Sequence, residues 1–169
     1  RFPGAWDLGL GISFFSSFPG NFGWKFLTFF LLVIYVPFLG ERMVRPAGDD
    51  KVYVSHIMEM MNHGDWFVQT LSELPNYYKG PSHYLLLRVG VGLFGFSMWA
   101  TTYMNLLLVI LGAVALGALV QNRMREFEGW AFWTGAAFAL NAGIFAHMFA
   151  SQMEVELAAL FAIGLYFLD

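Results

Sequence analysis

Three carboxylates of the sequence could do acid–base chemistry. Asp49 and Asp50 are adjacent and precede apolar residues at helical spacing, so they could cap a helix N-terminus. One of them could instead act as a general base or orient a nucleophile, with its pKa tuned by partial removal from water. Glu154 lies between two apolar segments, where a charge is unfavourable unless it is paired or functional. Its neighbour Glu156 is an alternative that the spacing does not separate from it.

Two histidines and a glutamate could bind a metal ion. His56, Glu59 and His63 fall on about one side of a predicted helix, and this set would suit a divalent cation, although no fourth ligand is specified. The alternative is that they are ordinary surface residues of an amphipathic helix. The sequence contains no cysteine, which excludes disulfides and thiolate sites.

Two cations flank the turn at residues 80–83. Lys79 and Arg88 would lie at the depth of lipid headgroups, where they could pair with a phosphate. They could equally be anchors whose charged ends reach for water. The sequence alone leaves both interpretations open.

The composition indicates a membrane protein. Hydrophobic residues make up 58% of the chain and aromatic residues 19%. Charged residues make up only 12%, whereas soluble domains typically have about 25%. The nine Lys and Arg residues are scattered, which gives no nucleic-acid footprint.

The elements that must position these residues are predicted to be helices. We predict an all-α integral membrane fold, one transmembrane module over residues 1–169 with about four spans. It begins at Arg1 and ends at Asp169 after an apolar run, so we expect it to be a fragment of a longer chain. The predicted segments are an interfacial stretch at 1–23, spans at 24–40, 96–120, 130–150 and 155–168, and a loop at 41–95. Within the loop we predict two helices. The first is an amphipathic juxtamembrane helix from about Asp50 to His63, and the second is a partly embedded helix from about His83 to Phe94.

Charge placement predicts the orientation of these spans. Arg123 and Arg125 lie in a short turn, and such turns are usually cytoplasmic. The acidic loop and Glu154 would then share the extracytoplasmic face.

The loop also carries a family resemblance. An acidic pair and a tyrosine are followed by Gly-Asp-Trp, an aromatic pair, a lysine turn with proline, a tyrosine and Leu-Phe-Gly. This order resembles the first extracytoplasmic loop of GT-C membrane glycosyltransferases, especially the lipid A aminoarabinose transferase and protein O-mannosyltransferase branches. In the family a lysine directly precedes the proline, whereas Gly80 holds that place here. The residues are Asp49, Asp50, Tyr53, Gly64, Asp65, Trp66, Tyr77, Tyr78, Lys79, Pro81, Tyr84, Leu93, Phe94 and Gly95, with Glu154 as the acidic residue at the head of the fourth span.

The resemblance implies a transferase that moves a sugar from a polyprenyl-phosphate donor to an acceptor on the extracytoplasmic side of a bacterial inner membrane. It implies membrane lipids and the lipid-linked donor as partners. It implies that Asp49 engages the acceptor or the reacting centre and that Glu154 helps to shape the same cavity. With the residues considered above, the candidate catalytic residues are Asp49, Asp50 and Glu154, and the candidate substrate-binding residues are Tyr53, Lys79, Tyr84 and Arg88.

Two other functions remain open. A non-catalytic membrane subunit could use the same helices to bind lipid or other subunits of a larger complex. A transporter or channel would require ionisable groups or broken helices at mid-membrane, and only Asn141 and His147 point that way.

Overall fold

The computed structural model describes residues 20–39, 49–64, 66–72, 74–75, 80–124, 129–149 and 153–168. Most of these residues are helical, as the composition predicts. Two short strands, Thr70–Leu71 and Leu74–Pro75, form a small antiparallel hairpin that the all-α prediction did not include, with Thr70 opposite Pro75. The elements are α1 (Gly20–Tyr35), α2 (Asp49–His63), β1 (Thr70–Leu71), β2 (Leu74–Pro75), α3 (Pro81–Phe94), α4 (Met98–Arg123), α5 (Trp130–Ala139), α6 (Ala142–Met148) and α7 (Met153–Leu168).

Glycine and serine separate the helices of the central region. Gly64 follows α2 with a φ of 76°, a conformation that glycine adopts without steric strain. Gly95 ends α3 with a φ of 66°, and Ser97 then caps α4 by accepting a hydrogen bond from the Ala100 amide. The predicted helix from about Asp50 to His63 and the predicted division of the apolar stretch near residue 95 are both confirmed.

The predicted span at 130–150 is not one continuous helix. It divides into α5 and α6 around Leu140 and Asn141. The Asn141 side chain accepts a hydrogen bond from the Gly143 amide at 2.9 Å and thereby caps α6. An asparagine that bonds to its own local backbone competes with helix continuation, which explains the interruption.

The count of about four spans is not supported. Within the described residues, one helical segment is long and apolar enough to cross a membrane, Thr102–Arg123 of α4, with 22 residues and a mean hydropathy of 2.3. The helices α1 and α7 have 16 residues each and α5 has 10. A straight helix needs about 20 residues to cross a bilayer, so these fall short by length.

Helix α4 is the centre of the bundle, and small residues allow its neighbours to approach it closely. A Cβ on Gly117 would lie 2.4 Å from the Ala131 carbonyl oxygen, and one on Gly112 would lie 3.0 Å from the Ala159 Cα. Near the other end of α4, the Asn105 side chain donates to the Met148 carbonyl at 3.2 Å. Helices α5 and α6 therefore run back along α4, and α7 begins at the end where α4 begins.

The buried side chains form two cores. The bundle core joins α1, α4, α5, α6 and α7. The second core joins α2 and α3 to the start of α4, and this loop core holds the segment between the first two predicted spans against one end of the bundle. The loop core consists of Tyr53, Ile57, Met60, Tyr84, Leu87, Val91 and Ala100.

Candidate functional site

A buried carboxylate and a buried histidine meet where α3 approaches the head of α7. Glu156 is 4% exposed and His83 is 1% exposed. The Glu156 Oε1 lies 2.6 Å from the His83 Nδ1. The other ring nitrogen, Nε2, is buried and has no hydrogen-bond partner among the residues that the structure describes. The pair links the loop core to the helix that begins at Met153.

Aromatic rings surround this pair. The Tyr53 ring lies edge-on to His83 with the ring centroids 4.6 Å apart, and Tyr84 lies 5.7 Å from Tyr53. The His56 ring is perpendicular to Tyr84 at 5.1 Å. We call Tyr53, His56, His83 and Tyr84 the ring cluster. It places polar ring atoms inside a largely apolar environment.

His56 lies in the interior of the ring cluster, like Tyr84. It is fully buried, and neither ring nitrogen has a hydrogen-bond partner within the described part of the chain. Burial lowers the pKa of His56 because the charged ring loses its hydration, and the negative charge of Glu59 partly opposes this effect. His56 is therefore a neutral side chain at physiological pH.

Arg88 is held against α2, one helical turn beyond Tyr84. Its Nη1 donates to the Met60 carbonyl at 3.3 Å, and the guanidinium carbon lies 4.0 Å from the centroid of the Trp66 ring. The side chain is only 8% exposed. A cation stacked on an aromatic ring is oriented by that ring, whereas a snorkelling anchor would extend into water.

The structure brings together some of the predicted substrate-binding residues. Tyr53, Tyr84 and Arg88 lie in or beside the ring cluster. Lys79 lies outside the described residues. Asp49 and Asp50 begin α2, but their side chains also lie outside the description.

Glu154 does not join this site, and Glu156 lies there instead. Glu154 is exposed, on the same stripe of α7 as the exposed residues Leu157 and Phe161. Glu156 lies three residues before the buried Ala159, so it shares the face that packs into the protein. The small residues Ala159 and Ala162 were the sequence signal for that face.

His83 is the functional candidate that sequence reasoning missed. It directly precedes Tyr84 at the start of α3, within the turn that was considered for phosphate binding. Its partner lies 73 positions away along the chain. No local spacing could connect the two residues.

The predicted metal set is not assembled. His56 is buried, whereas His63 is exposed in the last turn of α2. The Glu59 Oε1 accepts a hydrogen bond from the Ser72 amide at 2.8 Å, which ties α2 to the hairpin. No group of three or more histidine, aspartate or glutamate side chains converges as a metal site in the described ranges.

Comparison with known proteins adds no assignment. No protein-family model matches the chain, and no curated protein or solved structure is significantly similar to it.

Proposed function

We propose that the chain is a membrane glycosyltransferase module of the GT-C type. It would move a sugar from a polyprenyl-phosphate donor to an acceptor hydroxyl or phosphate at the extracytoplasmic face of a membrane. The observation that carries this proposal is the contact between His83 and Glu156. It joins the loop and the head of the last predicted span, the two separate regions in which the sequence resembles that family.

The chemistry of the site suits such a transfer. Displacement at the anomeric carbon needs a proton acceptor for the incoming hydroxyl and a cation for the departing phosphate. The buried pair provides a proton acceptor, and Arg88, on the same helix as His83, is a cation held by the Met60 carbonyl and the Trp66 ring. The aromatic side chains Tyr53 and Tyr84 pack beside His83.

The membrane arrangement that we propose keeps the predicted four-span bundle, with α4 as the crossing helix. Helices α1, α5–α6 and α7 would complete the bundle around it. Large apolar side chains on their outer faces, such as Phe29, Trp133 and Phe161, are exposed and suited to contact lipid or another membrane subunit. A tilted or locally thinned arrangement would accommodate the shorter helices.

The break between α5 and α6 gives little support to a transporter. Residues Asn141, Ala142 and Gly143 are all exposed, so the break does not line the interior of the bundle. A transport site would place such a break at an enclosed cavity.

The test is a transfer assay with the full chain in proteoliposomes that contain a polyprenyl-phosphate-linked sugar and acceptor lipid. We expect sugar to appear on the acceptor and polyprenyl phosphate to be released. Arg88→Ala should weaken donor binding by roughly tenfold or more, since a charge-assisted contact contributes about 1.5–3 kcal/mol. Arg88→Lys should recover part of the loss because it keeps the charge.

Lys25→Ala is the matched control. Lys25 is an exposed cation of α1, and its neighbour Trp24 lies beside Gly117 toward the far end of α4. Its removal should leave transfer unchanged. Absence of transfer by the wild type with lipid-linked pentose, hexose and aminosugar donors would reject the enzyme and favour a non-catalytic subunit.

A further inference from the structure

We propose that His83 is the proton acceptor of this site and that Glu156 is the residue that positions it. This assignment rests on the proposed sugar transfer and deepens it. It also moves the base from the predicted aspartates to a histidine that the resemblance did not include.

With Glu156 ionised, the contact assigns the proton of His83 to one ring nitrogen. An ionised carboxylate only accepts hydrogen bonds, so the proton of a neutral His83 lies on Nδ1 and points to the Glu156 Oε1. The lone pair is then on Nε2. A carboxylate that orients an imidazole in this way also stabilises the imidazolium that forms when Nε2 takes up a proton.

The surroundings of Nε2 favour a ligand-binding role over a structural tie. A pair that served only to join α3 and α7 would be expected to satisfy both buried nitrogens, because unpaired buried polar atoms are unfavourable. Nε2 is buried and finds no partner in the described part of the chain. The groups that face His83 are the Tyr53 and Tyr84 rings and the Glu156 carboxylate, and none of them is a cation.

The proposed step is balanced. The acceptor hydroxyl gives its proton to His83 Nε2 while its oxygen forms a bond to the anomeric carbon of the donor sugar. The bond between that carbon and the phosphate oxygen breaks, and polyprenyl phosphate leaves with the electron pair. The imidazolium then returns the proton to water or to the released phosphate.

Kinetics of the full chain in proteoliposomes provide the first test. His83→Gln keeps a polar side chain of similar size but removes the basic nitrogen, and we expect kcat to fall roughly 10²–10⁴-fold with donor KM little changed. Glu156→Gln should lower kcat by a smaller factor. The wild-type rate should fall on acidification as Nε2 becomes protonated, and the residual rate of His83→Gln should lack that fall.

A matched substitution separates the role of His83 from a general effect of losing a histidine. His147 belongs to α6, outside the ring cluster, and His147→Gln should retain the wild-type rate and its pH profile. An unchanged kcat in His83→Gln, or a pH profile that the substitution does not alter, would overturn the assignment.

A second readout does not depend on activity. In ¹⁵N-histidine-labelled protein in nanodiscs, the His83 resonances should show the Nδ1–H form, and Glu156→Gln should shift them. A His83 ring protonated on Nε2 alone would reject the proposed pair. Nδ1–H signals in a protein that transfers no sugar would reject the glycosyltransferase proposal while supporting the oriented proton acceptor.

Discussion

Glu154 and Glu156 lie two residues apart on α7 but in different surroundings. Their spacing in the sequence does not show which one faces inward, because that depends on how α7 packs against its neighbours. The structure buries Glu156 beside His83 and leaves Glu154 exposed. The presence of an acidic site at the head of this helix was predictable, whereas its residue and its partner required the tertiary arrangement.

We expect Glu156→Ala to destabilise the protein by about 1–3 kcal/mol, since it leaves the buried Nδ1–H of His83 without an acceptor. Glu154→Ala should change stability by no more than about 0.5 kcal/mol because its side chain is exposed. Thermal unfolding of both variants in the same detergent measures this difference. Equal losses would show that the buried pair contributes no more than the exposed carboxylate.

His56 should make the folded state sensitive to acid. Its pKa in the folded protein is below the ordinary value of 6.5, so the unfolded chain binds a proton more readily. The contribution of neutral His56 to the free energy of unfolding is fully present above about pH 6.5. It is lost as the pH falls below that value through the pKa of His56 in the folded protein. The titratable groups that face His56 are Tyr84 of α3 and Glu59, which lies on α2 with His56.

The measurement is the melting temperature of wild type and His56→Phe between pH 8 and pH 5. Phenylalanine keeps a ring against Tyr84 and cannot be protonated, so the variant should lose less stability on acidification. All other groups are the same in both proteins, so their effects cancel in the comparison. Parallel curves would show that His56 does not contribute to the acid sensitivity.

At the scale of elements, local signals and packing had different predictive value. Gly64 was a sequence signal for the end of α2, and the length of the apolar stretch indicated the division near Gly95; both glycines have positive φ values, which glycine adopts without strain. The break at Asn141 was missed because apolar residues continue on both sides of it, and a single asparagine does not change the average composition. The helix is interrupted by the backbone conformation at Asn141, which the average composition of the segment does not specify.

The contact between α3 and α4 can be tested at two neighbouring glycines. A Cβ on Gly90 would lie 2.1 Å from the Ala100 carbonyl oxygen and 2.3 Å from the Tyr103 Cε1, whereas one on Gly92 would have no atom within 4 Å. We expect Gly90→Ala to destabilise the fold by about 1–3 kcal/mol or more, since a backbone atom cannot rotate away.

Gly92→Ala should be neutral or stabilising by about 0.5–1 kcal/mol, because alanine favours a helix more than glycine does. Thermal unfolding of the two variants provides the comparison. A destabilised Gly92→Ala, or a neutral Gly90→Ala, would contradict the close approach of these helices.

At the scale of the whole molecule, the path of the chain separates two ends. Helix α4 has 26 residues, which corresponds to a length of about 39 Å. The hairpin, the ring cluster and the head of α7 lie at the end where α4 starts, and Met124 follows its other end. The loop and the head of α7 thus lie at the same end of α4, and their position on the extracytoplasmic side of a membrane stays a prediction.

Cysteine labelling in intact cells would establish the orientation. The chain has no cysteine, so single substitutions at the exposed residues Ser72, Met124 and Glu154 give clean reporters. We expect a membrane-impermeant maleimide to label Ser72→Cys and Glu154→Cys, while Met124→Cys reacts only after the membrane is opened. Labelling of all three in intact cells would reject the proposed orientation.

The 73-residue separation between His83 and Glu156 also has a consequence for biogenesis. At synthesis rates of about 5–20 residues per second, His83 leaves the ribosome roughly 4–15 s before its partner. During that interval the nascent chain carries an uncompensated imidazole in a segment that must later be buried. The contact between His83 and Glu156 can therefore form only after α7 has been synthesised, which makes that late helix the last component of the pair to arrive.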